Sequence, residues 1–582
     1  MQNQQLSDIL MRVSRPSRYV GGEYALPDMD KPCRVRMCLC FPDKYEVGMS
    51  NIGTRILYHM LNDTAGVVCE RAYAPDTDMA EQMRAVGQKL FSLETKRDLQ
   101  AFDIVGFSVG FELQFTNIVY MMDLAGIPLY ADQRSESDPL IIAGGPCMVN
   151  PMPIAPYFDA VLIGEGEKNL AEFVALYDTC KQQGMSKREF LDRAMQLDGV
   201  YLPARNNRTR RAVVRDLDSA YYPTHVLVPN CEIVHDRATI ELFRGCANGC
   251  RFCQAGFYYR PIRERKVDTL VRQAVELMDH TGYDELSLCS LSTGDYSGLK
   301  ELVDRLKVEA DKRAVKLALP SLRLDSFEAE IYEDMHGASL TFAPEAGTQR
   351  LRNVINKNIT DEDIHSSLVA AMQNGVKNVK LYFMLGLPTE TEEDLQGIVD
   401  IVLLTKDLHR QYGTSKLLNI SVSTSVFIPK PLTPFQWEAQ ISLQQMQEKQ
   451  AWMREHLRIK NVRYNWHDAY ASVIEAVLAR GDVALAPVIE QAYRNGCKFD
   501  SWSECFDYDR WMQALAQCGV DPSRYTGEIP EDTPLCWDII DNGVTKKYLL
   551  NERHKSRAGQ TTPNCMKQCN ACGAAVLGKC YQ

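Results

Sequence analysis

The 582-residue chain is longer than one ordinary domain and has room for two to four. Its 45% hydrophobic and 24% charged residues fit a soluble globular protein, and a formal net charge of −11 excludes a surface wholly given over to gripping nucleic acid. No window nears about 18 unbroken apolar residues, and the opening MQNQQLSDILMRVSRPSRY lacks the charged-then-apolar order of a signal peptide, so a cytoplasmic location is expected.

Residues 1–30 read as an N-terminal extension. From 31 to 204, short apolar runs alternate with helical stretches. VRMCLCF, FDIVGFSVG, PLIIAGGP and AVLIGEGE are apolar nearly throughout and end in glycine-rich punctuation, the mark of parallel strands covered on both faces. NIGTRILYHMLN and the stretch from Thr77 to Leu90 read as intervening helices. The expectation is an α/β, doubly wound, Rossmann-like domain. Residues 205–235 form a polar, basic linker containing Arg205, Arg208, Arg210 and Arg211.

A second βα series occupies 236–440, with strands at TIELF, ELSLCS, VKLAL, SLTFA, VKLYFML and LNISVSTSVF. Six strands with short loops predict a partial (βα)6 barrel. Residues 441–560 turn helical. Ser442 and Gln445 make a capping-box signature there, and HDAYASVIEAVLAR stops at Gly481. Trp437, Trp502 and Trp511 are expected to pack this region, and His467 to sit beside a helix cap. Residues 561–582 are rich in cysteine and glycine and poor in large apolar groups, so a bound metal would explain how they fold.

Nineteen cysteines in a reducing compartment point to buried thiols or metal ligands before disulfides. Cys33, Cys38, Cys40, Cys69, Cys147, Cys180, Cys231 and Cys289 sit singly or within apolar strands and read as core packing. Two groups share the spacing C-x3-C-x2-C. The first, in ELFRGCANGCRFCQAGFYYRP, is Cys246, Cys250 and Cys253. It follows a predicted strand and opens the βα series, at the strand ends where such folds place cofactors. Three thiolates can hold three irons of a cubane and leave the fourth open, whereas a zinc site built from this loop would lack its fourth ligand.

This loop, with aromatic Phe252 before the third cysteine, resembles the signature of the radical S-adenosylmethionine (SAM) superfamily, over roughly Thr239 to Pro434. The resemblance implies an enzyme with a [4Fe–4S] cluster on Cys246, Cys250 and Cys253. SAM would bind the open iron and be cleaved reductively to a 5′-deoxyadenosyl radical. It also implies a reductant such as flavodoxin or ferredoxin. Ser292, Thr293, Gly294 and Asp295 fall where the family's second strand meets SAM, although the usual Gly-Gly-Glu is absent. Glu345 and then Gly386 with Leu387 fall on the fourth- and fifth-strand segments that approach SAM.

The order of domains resembles that of the uncharacterised cobalamin-binding-domain-containing radical SAM proteins. On that resemblance Gly144, Gly145, Gly164, Glu165 and Gly166 would line a cobalamin tail; the alternative is a doubly wound domain without this cofactor. Asp43, Tyr45 and Gly48 lie where a D-x-H-x-x-G motif would sit, with Tyr in place of His.

The second triplet is Cys565, Cys569 and Cys572, with Cys580 as a fourth thiol. It suits a second [4Fe–4S] cluster, zinc, a three-ligand cluster leaving Cys580 free, or no metal. Arg260, Arg263, Arg265 and Lys266, with the linker arginines, read either as a solvated charged face or as steering for an anionic substrate or RNA. The leading expectation is cobalamin-dependent methyl transfer to an unactivated carbon. The alternatives are sulfur insertion or rearrangement on RNA, protein or metabolite without cobalamin, and a non-catalytic metal-stabilised scaffold.

Overall fold

The computed structural model describes residues 2–318 and 339–580. Its first sheet contains β1 (Cys33–Phe41), β2 (Gly66–Tyr73), β3 (Ile104–Ser108), β4 (Leu140–Gly144), β5 (Ala160–Leu162) and β6 (Val200–Tyr201). The strand order is β2-β1-β3-β4-β5-β6, parallel except for β6, which runs antiparallel to β5. The order reverses between β1 and β3, which opens a crevice at their C-terminal ends.

β2 is masked in the sequence, because charges interrupt its apolar run. Those charges are internal and paired. Glu70 accepts from Ser92 Oγ at 2.7 Å and Thr95 Oγ1 at 2.6 Å, while Arg71 pairs with Glu94 at 2.6 Å and Glu23 at 3.0 Å.

A two-residue strand, β7 (Thr209–Arg210), then precedes β8 (Ala238–Glu241). β9 (Phe243–Arg244) and β10 (Arg263–Glu264) pair antiparallel and so close the cysteine loop at its base. The remaining strands are β11 (Glu285–Cys289), β12 (Lys316–Ala318), β13 (Ser339–Glu345), β14 (Asn378–Leu385), β15 (Asn419–Val426), β16 (Val462–Trp466) and β17 (Ile540–Asp541). With β8, strands β11 to β16 form two wholly parallel sheets, β12-β11-β8 and β13-β14-β15-β16, while β17 pairs parallel with β7. Leu319, the last residue of the expected strand VKLAL, lies outside the described residues.

β16 is a seventh barrel strand inside a stretch that read as helical. Its alternation of Val, Tyr and Trp with Arg and Asn is half-buried, which weakens the apolar signal. The helices Leu443–His456 and Ala469–Arg480 form as expected, the first with the Ser442–Gln445 capping box in place. His467 stands beside the Asp468 cap, its Nδ1 3.0 Å from Ser472 Oγ.

The helical extension does not pack only on the barrel beside it in sequence. Ile474, Leu478, Val488, Ile489, Trp511 and Leu515 share one apolar core with Phe107, Ile118, Met121 and Tyr157 of the first sheet's helices and strands.

The basic residues near the cysteine loop correct the reading of a solvated or ligand-steering face. Arg211, Arg260, Arg263 and Arg265 are buried. Arg263 reaches Glu165 at 2.7 Å, Arg265 donates to the Leu217 carbonyl at 2.6 Å, and the Arg211 guanidinium lies 5.0 Å from the Tyr258 ring. Lys266, Arg205 and Arg210 do remain at the surface, the last two paired with Asp192 and Asp541.

Candidate active site

The cysteine loop leaves β9 at Gly245, whose φ of +96° carries the chain round a turn that an L side chain resists. A Cβ there would come within 3.0 Å of the Tyr259 and Pro261 carbonyl oxygens. Cys253 caps the short helix Gln254–Tyr258, and the Gly256 N–H donates to its sulfur at 3.4 Å. Asn248 Nδ2 lies 3.7 Å from Cys246 Sγ and donates to Asp295 Oδ2 at 2.8 Å. Burial, and then the neighbouring Cys250, push the Cys253 thiol up to about 12. Such a thiol keeps its proton at neutral pH and becomes a thiolate only when a metal displaces it. A donor set of three soft thiols, two of which already accept N–H groups, fits an iron–sulfur cluster.

Among the described residues no three His, Cys, Asp or Glu side chains are gathered closely enough to hold one metal ion. A tetrahedral zinc would need sulfurs about 2.3 Å from a common centre. A cubane is several atoms across and asks for wider spacing.

The segments expected to meet SAM converge on this loop. Asp295 is tied to it through Asn248. Ser292 is buried and its hydroxyl has no hydrogen-bond partner, a vacancy suited to a polar ligand. Thr293 Oγ1 is instead engaged by Ser290 Oγ at 2.9 Å, and Gly294 lies within the same short 3-10 turn. Glu345 ends β13 at φ +67°, a strained value for a side-chain-bearing residue, and pairs with Lys357 at 3.2 Å. Lys357 in turn lies close enough to Cys253 to lower its pKa. Phe252 packs with Leu387, Ile355 and Phe427 in one apolar cluster. Gly386 (φ +78°) turns the chain after β14 with its N–H on Glu390 at 3.0 Å; Ile441 occupies the space its Cβ would need.

A cavity of about 400 Å³ extends from the β1/β3 crevice to the base of the cysteine loop. Its walls include Leu39, Gly53, Ser108, Gly110 and Gly144 on one side, and Glu241, Arg244, Gly245, Tyr259, Cys289 and Leu291 on the other. The candidate glycines divide. Gly144 would carry a Cβ with only ordinary contacts, so its bare face is free for a ligand. Gly145 (φ +110°) and Gly164 (φ +119°) instead face carbonyls of Val109 and Ala212, which a Cβ would meet at 2.5 and 2.2 Å; Gly166 abuts Leu57. All four glycines line the cavity, and at these last three the protein's own packing also excludes a side chain. Among the described residues that line the cavity none is histidine. Tyr45 donates to Glu23 at 3.1 Å, and Asp43 accepts from Trp502 Nε1 at 2.9 Å; neither lines this cavity.

Glu165 lines the cavity, but three guanidiniums surround its carboxylate. Arg263 is at 2.7 Å, Arg244 at 3.5 Å and Arg211 at 3.9 Å, and the Val214 N–H adds a bond at 2.7 Å. Burial acts to raise its pKa, but Arg263, Arg244 and Arg211 outweigh it and hold the carboxyl below its ordinary range. Three residues of this region escaped the sequence reading. Cys289, read as core, lines the cavity, and Asn248 and Lys357 belong to no motif that would mark them.

A parallel partial barrel whose first strand runs into a three-cysteine loop defines a radical SAM protein. Residues 53–203 match the family described as "Radical SAM proteins, N-terminal", and residues 240–402 match "Radical SAM superfamily"; together they cover more than half of the chain. The chain belongs to the radical SAM superfamily and is an enzyme, not a metal-stabilised scaffold. Enzymes of this class need a reductant. An uncharacterised protein of Methanocaldococcus jannaschii is 27% identical over 457 residues, 78% of this chain and 90% of that one. The tRNA-2-methylthio-N(6)-dimethylallyladenosine synthase of Syntrophomonas wolfei is 27% identical over 187 residues, 30% of this chain and less than half (42%) of that relative. Among solved structures, the radical SAM methyltransferase TsrM from Kitasatospora setae, with cobalamin and a [4Fe–4S] cluster bound, superposes with a TM-score of 0.50 at 12% identity. That superposition covers 90% of this chain and 98% of that one. Among the described residues no helix is long and apolar enough to cross a membrane.

Proposed function

We propose that the enzyme is a cobalamin-dependent radical SAM methyltransferase acting on an unactivated carbon. Cys246, Cys250 and Cys253 would hold the [4Fe–4S] cluster. Ser292, Thr293, Gly294, Asp295, Glu345, Gly386, Leu387 and Phe252 would surround SAM, and the cavity beside Gly144 would take cobalamin. The cluster with SAM supplies a 5′-deoxyadenosyl radical, and cobalamin supplies a carrier for the methyl group. The protein's own part is positioning. Asn248 fixes Cys246 against the Asp295 loop, Lys357 offsets negative charge beside Cys253, and Phe252 with Leu387 keeps water from the reacting face.

One observation carries this reading: the cavity joins the first sheet's switch-point crevice to the Arg244–Gly245 base of the cysteine loop without a wall between them. A cofactor seated in the first domain is thereby presented to the cluster loop of the second. Among the described residues that line the cavity none is histidine, in keeping with Tyr45 at the place of the motif's histidine.

Flavodoxin or ferredoxin would serve as the reductant, and the cytoplasm as the compartment. Anaerobic purification with hydroxocobalamin tests the proposal. Cobalt near one per chain, together with SAM-derived 5′-deoxyadenosine on reduction, is the expected result. Full iron loading with 5′-deoxyadenosine but no cobalt would favour the second reading, sulfur insertion on RNA, which the matched tRNA methylthio-synthase supports. No 5′-deoxyadenosine from an iron-loaded enzyme would refute the assignment of the loop.

A further inference from the structure

The second cysteine group, remote in sequence, is brought against the first. The Cys565 N–H donates to the Ala247 carbonyl at 3.0 Å, inside the cluster loop, and Asn564 Nδ2 reaches Asn248 Oδ1 at 3.2 Å. The preceding residues tie to the same loop. The Thr562 N–H donates to Asn356 Oδ1 at 2.7 Å, and Asn356 Nδ2 donates to the Gly249 carbonyl at 3.1 Å. Arg251, between Cys250 and Phe252, donates to the Gln560 carbonyl at 2.8 Å and pairs with Glu552 at 3.0 Å. Leu577 anchors the end of the tail under Gly543, and Gly578 lies beside Pro261.

This docking brings the tail's thiols near one another and near the first loop. Cys565 lies within electrostatic reach of Cys572, Cys580 and Cys246, and Cys580 within reach of Cys569 and Cys572. Arg260 faces them. It is only 3% exposed, its Nε donates to the Gly256 carbonyl at 3.0 Å, and its Nη1 is buried with no hydrogen-bond partner. Among the described residues no carboxylate pairs with it; Tyr548 is its polar side-chain partner, the Phe257 ring lies 4.7 Å away, and Cys572, Cys565 and Cys580 also lie close enough to act on its charge. A buried guanidinium without a counter-charge is costly. Four neutral thiols would not compensate it, but a metal centre held by four thiolates carries net negative charge and would.

We propose that Cys565, Cys569, Cys572 and Cys580 hold a second iron–sulfur cluster, docked beside the first on the Cys246 loop and neutralised by Arg260. Four thiolates close the site, so it binds no substrate at iron. Its spacing C-x3-C-x2-C repeats that of the first loop, and this repeat favours a cubane over zinc. The assignment uses other ligands than the first cluster and stands independently of it.

The test is iron, sulfide and zinc analysis with electron paramagnetic resonance of the reduced, anaerobically prepared full chain. The wild type should carry about eight irons and no stoichiometric zinc. Cys569→Ala/Cys572→Ala should lose half of the iron and one of two reduced-cluster signals. Cys246→Ala/Cys250→Ala/Cys253→Ala should lose the other half. About four irons in the wild type, all lost with the loop variant, would overturn the second cluster while leaving the first intact. One zinc per chain that disappears with the tail variant would overturn it equally. If the tail variant does not fold, the wild-type iron and zinc counts decide alone. Failure of the first site would show differently, as iron retained in full by the loop variant.

Discussion

Replacing Glu165 by Gln removes the one carboxylate that Arg263, Arg244 and Arg211 share, while keeping the shape of the side chain. Arg244 retains Glu167 at 2.5 Å and Glu241 at 2.8 Å, but Arg263 and Arg211 form no other ion pair among the described residues. Glu165 and Arg263 are about 5% exposed and Arg211 fully buried, so solvent does little to screen what is lost. Breaking a buried pair costs about 3–5 kcal/mol, and a retained bond to the Val214 N–H offsets about 1. A net loss of about 3 kcal/mol is expected, a large part of a typical total of about 5–15 kcal/mol. Urea denaturation at pH 7 should show it, nearly unchanged between low and high salt. The double variant with Arg263→Met should reveal a coupling above about 1 kcal/mol. Because the folded carboxyl titrates below its ordinary value, this stability is complete at neutral pH and is lost only as pH falls below about 4.5. A loss under about 1 kcal/mol, or one that salt abolishes, would show that the three arginines do not depend on Glu165.

Asp500 makes the opposite pH prediction. Burial raises its pKa from 3.8 to about 6, against the Thr116 hydroxyl that donates to it at 2.5 Å. Between those values the folded state holds a proton that the unfolded chain has released, so stability should fall by about 3 kcal/mol as pH rises from about 4 to 6. Asp500→Asn should flatten that slope in thermal melts; an unchanged slope would refute it. Gly144→Val adds bulk to the cavity wall, where its Cβ would meet the Leu162 carbonyl only at an ordinary 3.6 Å, and should cut cobalt retention about tenfold or more while iron stays constant. Equal loss of both metals would mean misfolding instead. Asn248→Ala removes a hydrogen bond from the Cys246 sulfur and should lower the first cluster's midpoint potential in a spectroelectrochemical titration. An unshifted potential would deny Asn248 that role.

The cysteine loop and most strands were legible because their signals are local: a fixed spacing, apolar runs and glycine stops. β2 was not, because Glu70 and Arg71 are satisfied by Ser92, Thr95, Glu94 and Glu23, partners that only the fold brings near. The buried arginines failed for the same reason. A guanidinium reads as solvated until the backbone carbonyls and the distant carboxylate that accept its protons are known. Gly145, Gly164 and Gly166 line the cavity, yet their sequence does not show that Val109, Ala212 and Leu57 would also exclude a side chain there. The tail's four thiols were visible, but their apposition to the Cys246 loop depends on Ala247, Asn248 and Asn356, which no spacing rule selects.

The apolar core shared by the first sheet and the helical extension means that sequence order does not divide this enzyme into parts that can be handled separately. A fragment ended before residue 441 would leave Ile118, Met121 and Tyr157 without Ile474, Val488 and Trp511 over them. Such a piece would expose a greasy face and would be prone to aggregate. The helical extension is, in effect, part of the lid on the first domain's interior.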